Sequence, residues 1–271
     1  MARANRHFIP GHIWHLTHRC HKREFLFKFS RDRTRWIELL YEAKKRYRLS
    51  ILNFIVTSNH IHLIVSDDNS NDSSIPKAMQ LIAGRSGQEY NRRKDRKGAF
   101  WEDRYHATAI ESGEHLWRCL VYVDLNMVRA GVVDHPSEWK WSGYHEIQKP
   151  KKRYRLIDHD KLRGLLNADS NETLFRTHRG WIESRLKAKP ERQEHFSRSL
   201  AVGSESFIRR MQQSLGIRAV GRRTIKTPTT GYQLKESIAA YGIIDSDRTA
   251  NNSVIADTNT IPWKLGNALE F

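Results

Sequence analysis

Apolar and polar residues alternate from His12 to Arg19 (HIWHLTHR), the period of a half-buried strand, and Pro10-Gly11 leads into it. Over residues 31–47 the period lengthens. Trp36, Leu39, Leu40 and Ala43 recur at helical spacing while Arg and Lys fill the other face, which predicts an amphipathic helix. Two apolar runs, 51–56 and 61–65, flank Thr57-Ser58-Asn59-His60 and predict a hairpin. The polar stretch 67–74 ends on Ser74, placed to cap a helix over 75–93. A short strand over 105–110 follows the loop at Lys97-Gly98, and Ser112 is placed to cap a helix that runs to about Ala130 and stops at Gly131. Strand, helix, strand, strand, helix, strand, helix, with a hairpin in the middle, predicts an α+β fold in which helices cover a small antiparallel sheet.

Past Trp139-Lys140-Trp141 the pattern changes. Residues 148–155 (QKPKKRYR) read as a basic connector, helical spacing resumes over 160–166 and 171–186, and from Thr224 the chain is rich in Thr, Gly, Asn, Ser and Asp. The expected division is a principal domain over 1–147, a basic helical extension over 148–223, and an extended or disordered tail over 224–271. A chain of 271 residues has room for one such core and an appendage.

Charge narrows the partner. Lys and Arg outnumber Asp and Glu by 47 to 30, a formal net charge of +17, and the cations recur along the whole length. Such a field attracts polyanions, of which nucleic acid is the commonest; a merely basic soluble protein is the plainer reading. Cys20 and Cys119 lie far apart with no CxxC partner, which excludes a disulfide framework and a cysteine zinc site. The N-terminus lacks an apolar signal core and no run approaches the roughly 18 apolar residues of a membrane span, so a cytoplasmic protein without membrane contact is expected.

His60 and His62 stand two apart on the second hairpin strand, so both imidazoles leave one face and could supply half of a metal site. Among fourteen histidines about one such pair is expected by chance, so spacing alone is weak. The helix over 113–130 adds weight. Projected at about 100° per residue, His115, Arg118, Tyr122, Asn126 and Arg129 fall within about 40° of Tyr122, with Trp117, Leu120, Val121, Leu125 and Val128 outside that stripe and Asp124 as the misfit. Asn126, one turn beyond Tyr122, can present a carbonyl oxygen where the hydroxyl also points.

At this point the chain resembles the HUH single-tyrosine transposases, in particular the branch of REP-associated tyrosine transposases. The resemblance rests on Pro10-Gly11 with WHLTHRC before His21-Lys22-Arg23, then SNHIHLIV, FWEDRYHATAI, YVDLNMVRAGVV and HPSEWKWSGY, in family order over about the first 147 residues. GSESFIRRMQQSLGIRAVGRR and TIPWKL look like the extension of some members. The resemblance implies a ferredoxin-like HUH nuclease fold, Tyr122 as nucleophile, and a divalent metal, Mg²⁺ or Mn²⁺, held by His60, His62 and Asn126; zinc is not excluded. Two departures stand out: Thr57-Ser58 replaces the usual Met-Pro before Asn-His, and Met127 replaces the proline usual after Asn126, neither of them expected to touch a side chain that does chemistry.

The implied reaction cleaves and rejoins single-stranded hairpin DNA of the REP type through a 5′-phosphotyrosine, with no nucleotide cofactor, in a cytoplasmic, nucleoid-associated protein that is a monomer, a dimer being the alternative. A tyrosine phenolate, with a pKa of about 10, leaves more readily than an alkoxide, so strands can be exchanged without ATP. A domesticated protein that binds hairpins without cutting them is the competing reading, and an activated-water phosphoesterase a third. Arg19, Arg85, Arg92, Arg93, Arg104, Arg118 and Arg129 are the expected DNA contacts, with aromatics interleaved at Tyr90, Phe100, Trp101 and Tyr105, while Trp139 and Trp141 are expected to pack. Tyr105 is the one rival nucleophile. His12, His15, His18 and His21 recur every third residue, but a strand splits them between two faces and they are expected to be surface or hydrogen-bonded residues.

Overall fold

The computed structural model describes residues 9–66, 74–188, 193–227 and 231–235. Its first half follows the periodicity closely: β1 (Ile13–Arg19), α1 (Ser30–Tyr47), β2 (Ser50–Val56), β3 (His60–Ser66), α2 (Ser74–Arg93) and β4 (His106–Ile110). These strands lie in the order β2-β3-β1-β4 with every neighbouring pair antiparallel, which is the βαββαβ ferredoxin-like arrangement. Register places Thr17 opposite His62, Arg19 opposite His60, and His15 opposite Ile64 on one side and Thr108 on the other.

Helices cover both faces of the sheet. Asn53, on the face shared by Ile64 and His62, donates to Asp124 of α3 (Glu114–Asp124), which fixes that helix on the histidine face. His18, on the opposite face, stacks on Trp101, whose indole donates to the Ala83 carbonyl of α2. Leu16, Ile61, Leu63, Trp36, Leu39, Leu40 and Ile82 are all 1% exposed or less and belong to one continuous apolar core.

The helix expected over 113–130 differs in two places. Gly113, at φ 71°, turns the chain into α3 in place of a Ser112 cap, a backbone geometry that favours glycine. At Leu125 (φ −79°, ψ 8°) α3 gives way to a single turn, α4 (Asn126–Arg129). Asp124, the misfit of the polar stripe, is almost wholly buried: its carboxylate accepts from Asn53 Nδ2 at 3.0 Å and from His178 Nε2 at 2.7 Å.

Beyond α5 (Tyr144–Gln148) come α6 (His159–Leu166) and α7 (Asn171–Lys187), whose first turns are capped by the side chains of Asp158 and Ser170. The basic stretch 148–155 is no hinge between two cores. Buried Glu146 accepts from the backbone amides of Leu156 and Ile157, and both of those side chains belong to the main core. The expected division at 147/148 therefore does not separate compact units, and the described residues through Lys235 form one.

The expected tail also needs correction over its first part. After α8 (His195–Arg198), β5 (Ala201–Gly203) pairs in parallel with β4; α9 (Glu205–Leu215) follows, and β6 (Arg223–Thr227) and β7 (Gly231–Lys235) complete a seven-stranded sheet in the order β2-β3-β1-β4-β5-β7-β6. The physical reason lies in β4. As the last strand of the four-stranded unit it presents unpaired amides and carbonyls, and Ala109 and Glu111 donate to Leu200 and Val202 across that edge. The rest of the expected tail lies outside the described residues.

Candidate active site

Strand alternation puts His60, His62, Thr17 and His15 on one face, and the hydrogen bonds around the two β3 histidines determine which ring nitrogens carry protons. Thr57 Oγ1 donates to the His60 carbonyl (2.8 Å), so it receives from His60 Nδ1 (3.0 Å), which also lies 2.7 Å from Asn59 Oδ1. Nδ1 of His60 thus carries a proton, which leaves Nε2 as the nitrogen turned away from these partners. The expectation that the Thr57-Ser58 departure touches no functional side chain is corrected here: Thr57, 2% exposed, orients the His60 ring.

His62 is set the same way by a different partner. Its Nδ1 lies 2.9 Å from His15 Nε2, and its Nε2 receives from Asn126 Nδ2 at 3.0 Å. His15 in turn directs Nδ1 at the Phe196 carbonyl, 2.7 Å away. Burial lowers the pKa of His62 well below the imidazole range, with neighbouring His15 and His60 acting in the same direction, and burial lowers His15 to about 4. Both rings are neutral at physiological pH.

Tyr122, on α3, is 7% exposed and stands edge-on to His15 and His62, with ring centroids 6.0 and 5.7 Å away. The Arg129 guanidinium lies 4.2 Å over the Tyr122 ring and donates to the Tyr122 carbonyl at 2.8 Å. The phenol oxygen is 3.0 Å from Ser197 Oγ on α8. α8 is pinned in place: Phe196 is fully buried, and the Ser199 carbonyl accepts from Thr108 Oγ1 (2.6 Å) and from His106 Nε2 (3.0 Å). His60, His62, Tyr122, Asn126 and Arg129 together line a cleft of about 750 Å³, whose rim adds Arg19, Arg104 and Arg198 and the carboxylates of Glu102, Asp103 and Glu194.

The structure thus brings together the four predicted chemical residues and three of the predicted arginines. Arg118 pairs with Glu114 and lies behind Tyr122. Arg85 binds Glu42 and Glu89, Arg93 binds Asp32, and both join α2 to α1 away from the cleft; Arg92 is exposed on α2, also outside it. Tyr105 is buried beside His18 and does not line the cleft. Trp139 packs, its indole donating to Val56, and the Arg33 guanidinium lies over the rings of both Trp139 and Trp141. The site residues that sequence reasoning missed are His15, Thr57 and Ser197. A histidine two positions before Thr17 on a strand register is the only local hint of the first; nothing local marks Ser197.

His62 Nε2 faces the Asn126 carboxamide at 3.0 Å, His60 lines the same cleft, and imidazole nitrogens with an amide oxygen are donor types that suit a borderline divalent cation once the Asn126 amide turns its oxygen inward. Among the described residues no cluster of three or more His, Cys, Asp or Glu is placed to hold a metal ion.

Comparison with known proteins finds likeness to transposases over the first part of the chain. Residues 9–124 match the family described as IS200-like transposase. Among solved structures, a REP-associated tyrosine transposase bound to a REP hairpin is 19% identical, with a TM-score of 0.46, over 58% of this chain and 92% of that one. A candidate transposase from Deinococcus radiodurans R1 is 14% identical, with a TM-score of 0.33, over 48% of this chain and 98% of that one. No curated protein matches the sequence. Among the described residues no helix is long and apolar enough to cross a membrane.

Proposed function

We propose that this chain cleaves and rejoins single-stranded hairpin DNA, of the kind formed by repetitive extragenic palindromes, through a covalent 5′-phosphotyrosine on Tyr122. The observation that carries the reading is the convergence of Tyr122, His60, His62 and Asn126 on one arginine-rimmed cleft. Binding alone requires none of the four. The alternative of a non-cleaving hairpin-binding protein gains no support from such a cleft.

In the proposed step the Tyr122 oxygen forms a bond to the scissile phosphorus as the bond from phosphorus to the 3′ oxygen breaks. The proton lost from the phenol is balanced by the one taken up by the departing 3′ hydroxyl, and Ser197 Oγ, 3.0 Å from the phenol, can relay it by accepting the phenol proton as its own hydroxyl proton passes to solvent. Reversal with the same or another 3′ hydroxyl rejoins the strand, so no nucleotide is consumed. Arg129, fixed against the Tyr122 ring, keeps the phenol edge toward the cleft and places positive charge beside the phosphate. His60, His62 and Asn126 would hold Mg²⁺ or Mn²⁺, which when bound supplies Lewis-acid neutralisation of phosphate charge. Arg19 and Arg104 at the rim, and further cations over the surface, supply affinity for the DNA backbone.

Purified protein incubated with labelled hairpin DNA and Mn²⁺ should yield an adduct that survives denaturation, and Tyr122→Phe should yield none. Cleavage by Tyr122→Phe at the wild-type rate would defeat the tyrosine mechanism. Wild-type binding without cleavage would favour the non-cleaving protein.

A further inference from the structure

We infer that His15 is a positioning residue for the proposed metal centre: anchored on the Phe196 carbonyl, it holds His62 in the tautomer whose Nε2 can ligate a cation. The inference rests on the metal reading of His60, His62 and Asn126, and adds to it a third histidine together with the segment around α8.

Each link is fixed by what the atoms can do. A carbonyl oxygen only accepts, so the His15 nitrogen 2.7 Å from the Phe196 oxygen, Nδ1, carries a hydrogen. A neutral imidazole has one N–H, so His15 Nε2 is an acceptor. His62 Nδ1, 2.9 Å from it, must therefore donate, and the only nitrogen of His62 left with a lone pair is Nε2, the one facing Asn126. The two rings lie nearly parallel at 5.0 Å, a geometry that keeps both hydrogen bonds in line. Without the acceptor on His15, the buried Nδ1–H of His62 would lack a partner, and moving the proton to Nε2 would relieve that cost while destroying the ligand.

His15 is fully buried and lies outside the cleft lining, so it touches neither DNA nor a cation held by Nε2. Its hydrogen bond reaches the proposed centre through His62, and its other contact there is the edge-on one with the Tyr122 ring. Thr57 performs the corresponding service for His60, so Nδ1 carries a proton in both predicted ligands. The two devices differ in origin: Thr57 is local to the turn, whereas the acceptor behind His62 depends on a carbonyl 181 residues away from His15.

The test uses full-length protein and two readouts. Nitrogen-15 imidazole NMR of metal-free protein reports the His62 tautomer directly, and Mn²⁺ titration followed by electron paramagnetic resonance reports affinity. Wild type should show protonated Nδ1 on His62. His15→Gln, whose amide oxygen can replace the acceptor, should keep that tautomer and bind Mn²⁺ within about threefold of wild type. His15→Leu should shift the His62 proton to Nε2 and weaken Mn²⁺ binding by about 10-fold to 100-fold. Wild-type affinity in His15→Leu, or an Nε2-protonated His62 in wild type, overturns the inference; the wild-type spectrum decides even if His15→Leu fails to fold. Wild-type protein that binds Mn²⁺ no better than His62→Ala defeats instead the metal reading on which the inference stands.

Discussion

Replacing Asp124 by leucine removes the one acceptor shared by two buried donors. Asn53 Nδ2 at 3.0 Å and His178 Nε2 at 2.7 Å both point at this carboxylate, and the side chains of His178 and Asp124 are completely shielded from solvent. A buried donor left without a partner costs about 1–3 kcal/mol, so Asp124→Leu should destabilise by roughly 4 kcal/mol. For a protein of this size that corresponds to a fall in Tm of about 8–16 °C. Asp124→Asn should cost much less, about 1 kcal/mol. Its amide oxygen still accepts from Asn53, its NH₂ donates to His178 Nε2, and the displaced proton moves to His178 Nδ1, where Gln148, 2.7 Å away, turns its amide to accept. Urea unfolding followed by tryptophan fluorescence measures both variants. A leucine variant within about 1 kcal/mol of wild type, or an asparagine variant as unstable as the leucine one, would refute the shared-acceptor account.

Thr57→Val, which keeps the shape and removes the hydroxyl that orients His60, should weaken Mn²⁺ binding about 10-fold while leaving hairpin affinity unchanged, measured by titration and gel shift. Burial holds His15 and His195 at about 4 against a usual 6.5, so between those values the unfolded chain binds protons that the folded chain refuses. Stability of the metal-free protein should therefore fall as pH drops through about 6.5 and level off near 4, His15 alone contributing about 2 kcal/mol of the loss at pH 5; equal unfolding free energies at pH 7.5 and 5 would contradict this. Arg129→Gln should lower the rate of adduct formation at least tenfold with little change in Tm. Arg85→Gln should leave both cleavage and the salt dependence of DNA binding unaltered, because Arg85 is occupied by Glu42 and Glu89; a reduced salt slope would show instead that it meets phosphate.

The ferredoxin-like unit was legible because its signals are local. Alternation over His12 to Arg19 and helical spacing from Trp36 to Ala43 need no knowledge of the partner strand. β5 was not legible, since Ala201-Val202-Gly203 is too short to show a period, and β6, Arg-Thr-Ile-Lys-Thr, is mostly exposed and carries little burial pattern. The same limit applies within the site. His60 and His62 share a face by spacing alone, but the link from His15 to His62 is diagonal across two strands, and Ser197 reaches Tyr122 over 75 positions of sequence. Asp124 shows the reverse case. A carboxylate on the apolar side of an otherwise consistent helix was a readable sign of a buried partner, although nothing in the sequence identified His178 as that partner.

The closure of the β4 edge by β5 and the hairpin behind it has a consequence for the order of events during synthesis. A ribosome that has just added Asn126 has made every predicted ligand and the nucleophile, yet neither the Phe196 carbonyl behind His15 nor the Ser197 hydroxyl beside Tyr122 exists, and β4 is still bare on one side. β7, which pairs with β5, ends at Lys235, about a hundred residues later, which at ~5–20 residues per second is on the order of 5–20 seconds of translation. Until Ser197 and β5 have been made the nascent chain lacks the partners of His15 and Tyr122 and carries β4 as a bare edge, and until β7 follows the edge of β5 is bare in its turn. The proposed ligands and nucleophile are thus made some seventy residues before the groups that orient them.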